Sequence, residues 1–458
     1  GAVPLKADRE AFHGVDNPAF VHEMFKNITK WSARVERIED IPEVMARAFH
    51  IARSGRPGPV HVELPRLADY SEHILQEERA VLPAYRRIPT VVTPPDPQDV
   101  DHCAKRLMES SSPVIAAGKG IIRKGAMQEL SELALKLQAP VVFAQDAIGV
   151  IPESHPFFAG HFQHYRSHPL CIEALKRTDL VFGVGLRAGT AELTELKGRA
   201  PEKHLLLVGF DDAPDSRYSG EDQLVADPKL FLAALLERLG IYQRPRDEAL
   251  IRRMADGKAA IRASLAEQNE PHRGDRPIDP GVLMDAMNAV LDDSAVVASD
   301  VGNCQMWART FRRIATPESF MQSGVWNAMS YGLPTAIVAK MEFPGRDVVA
   351  LAGDGAFLMT IGDLQTAVEY GANILVIVLN DGAFGQTTMQ QASLYGHTYG
   401  TTFKSPDFAA IARACGAEGI RVTDPTAVEA ALRQGLAATK ERPALVEVMV
   451  ARRPYPKI

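Results

Sequence analysis

The sequence predicts an α/β protein made of successive doubly wound, parallel-sheet domains. Short apolar, β-branched runs alternate with helical patterns along most of the chain. Its 458 residues are enough for about three domains, each with a core of its own. Two stretches, 71–95 (proline-rich) and 241–280 (charged, ending in GDRPIDP), interrupt the alternation and read as connectors.

Residues 1–70 hold one helical pattern, 41–52, after which Pro57-Gly58-Pro59 turns into a strand at 60–64 that Pro65 stops. One helix and one or two strands cannot close a sheet, so this block reads as the tail of a domain. Residues 96–240 carry a full set: strands at 113–117, 141–144, 180–184 and 205–208, helices at 126–138 and 229–239. Residues 281–458 carry strands at 295–298, 348–352, 374–379 and 445–450.

A net charge of −6 gives no reason to expect nucleic acid or an anionic membrane as partner. Cys103, Cys171, Cys304 and Cys415 are far apart in sequence and without a CxxC pair, which predicts free thiols. No apolar run approaches the ~20 residues of a membrane span, and residues 1–25 lack a signal-peptide core. A cytoplasmic protein is the expectation.

The chemistry is concentrated in residues 347–385. An apolar strand runs straight into Gly353-Asp354-Gly355; Thr360 and Asp363 have the spacing of a capping box that opens a helix. Leu364, Ala367 and Val368 give that helix its apolar stripe, Gly371 is placed to end it, and the next strand stops at Asn380-Asp381-Gly382. In such a βαβ unit both strands point the same way, so Asp354 and Asp381 emerge at the carboxyl edge, where open α/β sheets bind ligands. On neighbouring strands, ~4.8 Å apart, two carboxylates reach one ion. Glycines beside Asp354 let backbone approach a phosphate, and a hard cation sharing phosphate oxygens suits Mg2+. Either turn alone is commonly just a strand exit; the pair at opposite ends of one unit is far more specific.

With Asn380-Asp381 placed 27 positions after Asp354, the stretch resembles the motif of the thiamine-diphosphate enzymes, in particular their acetolactate synthase-like group. The resemblance implies Mg2+ held by Asp354, Asp381 and the carbonyl of Ala383, with Asp381 replacing the commoner Asn. Gly353, Gly355, Ala356 and Gly385 would complete the cofactor's surroundings. Residues 299–307 (SDVGNCQMW) resemble the segment that contacts the diphosphate, which implies roles for Gly302, Asn303 and Cys304; the synthases carry Gln-His at the last two positions. Residues 327–336 (NAMSYGLPTA) resemble the stretch whose methionine wedges under the cofactor and bends it, here Met329. Residues 9–16 and 56–60 resemble the last third of the family's pyrimidine-binding domain, with His13 where a glutamine faces the active site. The blocks then become a C-terminal remnant of that domain (1–70), a central Rossmann-like domain (96–240) and the diphosphate- and Mg2+-binding domain (281–458).

The resemblance implies an enzyme that decarboxylates 2-keto acids and joins carbon–carbon bonds, with the active site shared between chains of a homodimer or homotetramer. Gln386 replaces a methionine of the synthases and Gln390 a tryptophan; with His13 these changes add polarity. They keep open a lyase acting on a 2-hydroxyketone or an acyl-CoA-type thioester, and a cofactor-binding subunit without activity is a third reading. The family's activating glutamate belongs to a segment upstream of Gly1, so the chain as printed is expected to bind cofactor but turn over poorly.

Two further patterns are weaker. His155, His161, His164 and His168 crowd one stretch; a surface loop accounts for them better than a metal site, since no Cys or carboxylate stands at ligand spacing. Gly183, Gly185 and Gly189 after a strand suggest a dinucleotide fingerprint, but the spacing is GxGxxxG. Only Asp211-Asp212 lies near the acidic position such a fold needs, and the synthases' Gly-Ala-Arg-Phe-Asp-Asp stretch is replaced by GLRAGT at 185–190, which counts against FAD.

Overall fold

The computed structural model describes residues 20–35, 37–54, 57–64, 85, 92–162, 167–186, 191–200, 204–209, 222–324 and 326–456. The chain divides into two compact units. Within the first, strands β1 (Trp31–Arg34) and β2 (Val60–Glu63) pair in parallel, and the helix Ile41–Arg53 supplies the crossover that a parallel pair requires. The helix and β2 fall where the sequence puts them; β1 and a short helix, Phe20–Lys26, were not anticipated. His13, with residues 9–16 around it, and most of 71–95 lie outside the described residues.

The remaining strands form two six-stranded sheets. The central one comprises β3 (Pro113–Ala117), β4 (Val141–Ala144), β5 (Phe158–Phe162), β6 (Leu180–Val184), β7 (His204–Gly209) and β8 (Asp222–Val225), in the order β5-β4-β3-β6-β7-β8. The chain starts mid-sheet, winds outward, then returns to the other side of β3, so the order reverses between β3 and β6. The C-terminal sheet comprises β9 (Val296–Ser299), β10 (Phe320–Gln322), β11 (Val348–Gly353), β12 (Leu375–Asn380), β13 (Glu418–Val422) and β14 (Ala444–Met449), in the order β10-β9-β11-β12-β14-β13. Its reversal lies between β9 and β11. Pairing in this sheet is parallel throughout.

Strands covered on both faces should read as continuous apolar runs. β3, β4, β6 and β12 are buried at every residue. Leu333, Ala336, Phe357, Leu364, Ala367 and Phe408 from the flanking helices pack on β11 and β12 to form the C-terminal core. Among the described residues no helix is long and apolar enough to cross a membrane.

Two local expectations fail, and one connector holds a helix that the sequence reading did not anticipate. The charged connector 241–280 contains the 22-residue helix Glu248–Asn269, N-capped by Asp247, which accepts from Leu250 N–H. Only Met254, Leu265 and Asn269 of it are buried, so its apolar stripe is too thin to register as helical periodicity. Thr360 does not open a helix: one helix begins at Asp354 and ends at Thr360, a second runs Asp363–Glu369, and Thr360 Oγ1 is buried without a partner. Gly371 does end that second helix, at φ +61°. The histidine-rich stretch is not a surface loop, because it contributes β5, and His155 is buried.

Candidate functional site

In the register of β11 with β12, Gly353 lies opposite Leu379, so Asp354 and Asp381 leave the sheet from adjacent strand ends, as the sequence predicts. Both line a cavity of about 220 Å3 at the carboxyl edge. Gly353, Gly355 and Ala356 line it from the β11 exit; Ala383, Gly385 and Gln386 line it from the β12 exit. Gly302, Asn303 and Cys304 enter from the β9 exit, and Met329 from the turn before the helix Gly332–Glu342. The site residues expected from the sequence therefore meet in one cavity, apart from His13, which is outside the described residues, and Gln390. Gln390 is exposed and does not line it.

Asp354 is only 1% exposed, and burial pushes its carboxyl up from the ordinary range. Its Oδ1 accepts from Gly355 N–H at 2.8 Å; Oδ2 accepts from Gly382 N–H and Ser405 Oγ–H, both at 2.8 Å. Asp381 is pushed up to about 6, first by burial and then by the charge of Asp354. Arg452 opposes this from 3.7 Å and also donates to the Asp381 carbonyl at 2.7 Å. Two carboxylates that repel each other in a desolvated cavity are poised for a cation, which would relieve both penalties.

Glycine at two positions keeps the cavity wall clear. A Cβ on Gly385 would fall 2.6 Å from Asp381 Oδ2 and 2.8 Å from Asn303 Nδ2; one on Gly355 would fall 2.7 Å from the Phe384 ring. Asn303 Oδ1 is buried without a partner, an orphaned polar atom at the cavity wall. Cys304 donates its Sγ–H to the Asp300 carbonyl at 3.4 Å, and burial pushes the thiol up to about 12, so it lines the cavity as a neutral group. These features fit a metal-bound group: paired carboxylates for the ion, a glycine cradle beside them, and an orphaned Asn303 Oδ1 that can accept from a donor of the bound group.

Sequence reasoning missed the supporting residues. Ser405 and Arg452 come from distant loops with no motif around them. Asn380, read only as part of the turn, has its amide donating at 2.7 Å to Glu447, which is fully buried on β14. Asp300, inside a recognised segment, proves to be 1% exposed and to accept backbone N–H groups from the Met329 turn. Its partners lie some 30 residues away, and no local pattern could have named them. Among the described residues no three His, Cys, Asp or Glu side chains gather to hold a metal. Burial lowers His155 and His168 to about 4, so both are neutral. His164 is outside the described residues.

A doubly wound sheet that collects paired carboxylates, glycine-lined strand exits and a helix start at its reversal point is the architecture of a binder of phosphorylated cofactors. Residues 300–448 match the family described as thiamine pyrophosphate enzyme, C-terminal TPP binding domain, and residues 100–235 match its central domain. An acetolactate synthase of Mycobacterium leprae is 30% identical over 439 residues, covering 92% of this chain and 68% of that protein. A probable acetolactate synthase large subunit of Methanocaldococcus jannaschii is 29% identical, covering 98% and 76%. The large subunit of Escherichia coli acetolactate synthase isozyme 3 is 29% identical, covering 89% and 71%. The chain belongs to the thiamine-diphosphate-dependent, acetolactate synthase-like family.

Proposed function

We propose that this chain is a Mg2+- and thiamine-diphosphate-dependent enzyme that breaks and forms carbon–carbon bonds beside the carbonyl of 2-keto acids. The observation that supports it most is the meeting of Asp354 and Asp381 in one cavity with Asn303, Met329 and Gln386. Asp354, Asp381 and the Ala383 carbonyl would hold Mg2+, and the ion would carry the diphosphate against Gly302, Asn303 and the glycines of the β11 exit. Thiamine diphosphate, when bound, supplies the electron sink that 2-keto acid decarboxylation requires. Ser405 and the Gly355 and Gly382 N–H groups hold the Asp354 carboxylate in one orientation. Met329 serves as an apolar wall that shapes the cofactor, and the Gln386 amide offers donors to a substrate oxygen. The assembly proposed is a homodimer or homotetramer, which the mass in solution tests.

Calorimetric titration of thiamine diphosphate with Mg2+, and again in excess chelator, tests the reading. Binding should require the ion; undiminished affinity in chelator would refute the Asp354–Asp381 assignment. Release of CO2 from pyruvate, used as the probe 2-keto acid, tests the reaction. A second reading draws on the polarity Gln386 gives the cavity: a lyase acting on a 2-hydroxyketone or an acyl-CoA-type substrate. Affinity for coenzyme A would favour the thioester form of it.

A further inference from the structure

The helix Gly332–Glu342 follows directly on the turn that carries Met329, and its own N-cap residue, Tyr331, makes no side-chain cap. The first N–H groups of a helix have no partners within it and need acceptors from elsewhere. Asp300 provides them from another strand. Its Oδ1 accepts from Ser330 N–H at 2.9 Å and from Val301 N–H at 2.8 Å, and its Oδ2 accepts from Gly332 N–H at 3.1 Å. The carboxylate is buried at the end of β9, and Asp300 N–H is itself fixed to the Leu351 carbonyl of β11 at 2.7 Å. A negative charge there also complements the helix dipole.

The turn needs such a clamp. Asn327 and Ser330, which bracket Met329, hold φ of +44° and +72°, a region costly for residues with a side chain. At Gly332 a Cβ would come within 3.1 Å of the Asp300 nitrogen and 3.2 Å of its Cβ, so a side chain there would crowd Asp300. Three backbone donors converge on one side chain that can only accept. An asparagine there would turn an NH2 group toward at least one of those donors.

We infer that Asp300 is a positioning residue: it caps the helix Gly332–Glu342 from outside and holds the strained 327–332 turn, thereby fixing Met329 at the cavity wall. Among the described residues it makes no hydrogen bond to Asp354, Asp381 or Ala383; it also holds Val301 N–H beside the Gly302–Asn303 segment, so its larger effect falls on how the cofactor is shaped and the smaller on how tightly the diphosphate is gripped. The inference rests on the proposed cofactor only for what Met329 contacts.

The test compares Asp300→Asn with wild type in three measurements: amide hydrogen exchange across 327–332, Mg2+-dependent affinity for thiamine diphosphate, and induced circular dichroism per bound cofactor. Exchange at Ser330 and Gly332 should quicken at least tenfold. Affinity should stay within about tenfold, because Asp354 and Asp381 are untouched, while the induced dichroism should fall by more than half. A merely structural role would lower affinity and dichroism together, and unchanged exchange or unchanged dichroism would overturn the inference. Adding Ser330→Gly to Asp300→Asn should restore part of the dichroism, because glycine adopts φ +72° without strain. This double variant serves also if Asp300→Asn alone fails to fold, and absence of rescue counts against the clamp. Should the wild-type chain bind no thiamine diphosphate, the proposed function fails, while the exchange measurement still reads the clamp.

Discussion

The two six-stranded sheets each reverse strand order near the middle, and they treat that point in opposite ways. In the C-terminal sheet the exits of β9, β11 and β12 diverge around a cavity walled by Asn303, Asp354 and Asp381. In the central sheet the exits of β3 and β6 are bonded to each other. Gly118 N–H donates to the Val184 carbonyl and Gly120 N–H to the Gly185 carbonyl, both at 2.9 Å. A Cβ on Gly118 would lie 2.2 Å from the Gly185 oxygen. Topology thus supplies a place for a ligand, and the described residues at the strand ends set how open it is. Glycines serve both outcomes: at Gly385 they leave room for a ligand's neighbours, at Gly118 they let backbone fill the space.

The largest expected effect breaks the C-terminal side alone. Asp354→Ala should cut Mg2+-dependent affinity for thiamine diphosphate by more than about a hundredfold, beyond what losing an outer partner of a metal ligand costs. Asp381→Asn, which keeps an oxygen ligand, should stay within about tenfold by the same scale. Calorimetry with matched Mg2+ reads both. Equal losses would show that the two carboxylates share the load.

Alanine at the two glycines comes next. Gly118→Ala meets a carbonyl that cannot move aside, so it should destabilise the fold by about 1–3 kcal/mol and leave the cofactor affinity of folded protein unchanged. Gly385→Ala meets the ends of side chains at 2.6 and 2.8 Å, so it should cost less stability and more affinity. Urea melts paired with calorimetry would show the pattern; its reversal would sink the comparison.

Acid should divide the regions by sign. The carboxyl of Asp381, at about 6 in the folded metal-free protein against an ordinary 3.8, contributes stability that is fully present below 3.8 and lost as pH rises through about 6. His168, at about 4 against 6.5, contributes stability that is fully present above 6.5 and lost as pH falls through about 4. Metal-free Asp381→Asn should therefore lose stability more steeply than wild type between pH 6.5 and 4.5, and His168→Gln less steeply. Melts across that range check both slopes. Ser405→Ala removes one hydrogen bond to Asp354 and should cost about tenfold in Mg2+-dependent cofactor affinity.

What the sequence determined by itself was whatever depends on neighbours along the chain. The strands at 113–117, 141–144 and 180–184 match residue for residue, because buried parallel strands read as unbroken apolar runs. The pairing of Asp354 with Asp381 was legible because a βαβ unit sends both strand ends to one edge. Edge strands such as β5 and β10 were not legible, since these short segments interrupt their apolar residues with Gly, His or Gln and carry no such run. Only the tertiary structure could show that Ser405 and Arg452 reach the two aspartates, that Glu447 backs Asn380, and that Asp300 clamps the Met329 turn. A buried carboxylate takes its hydrogen bonds from whatever backbone the fold brings past it, and local sequence holds no record of that.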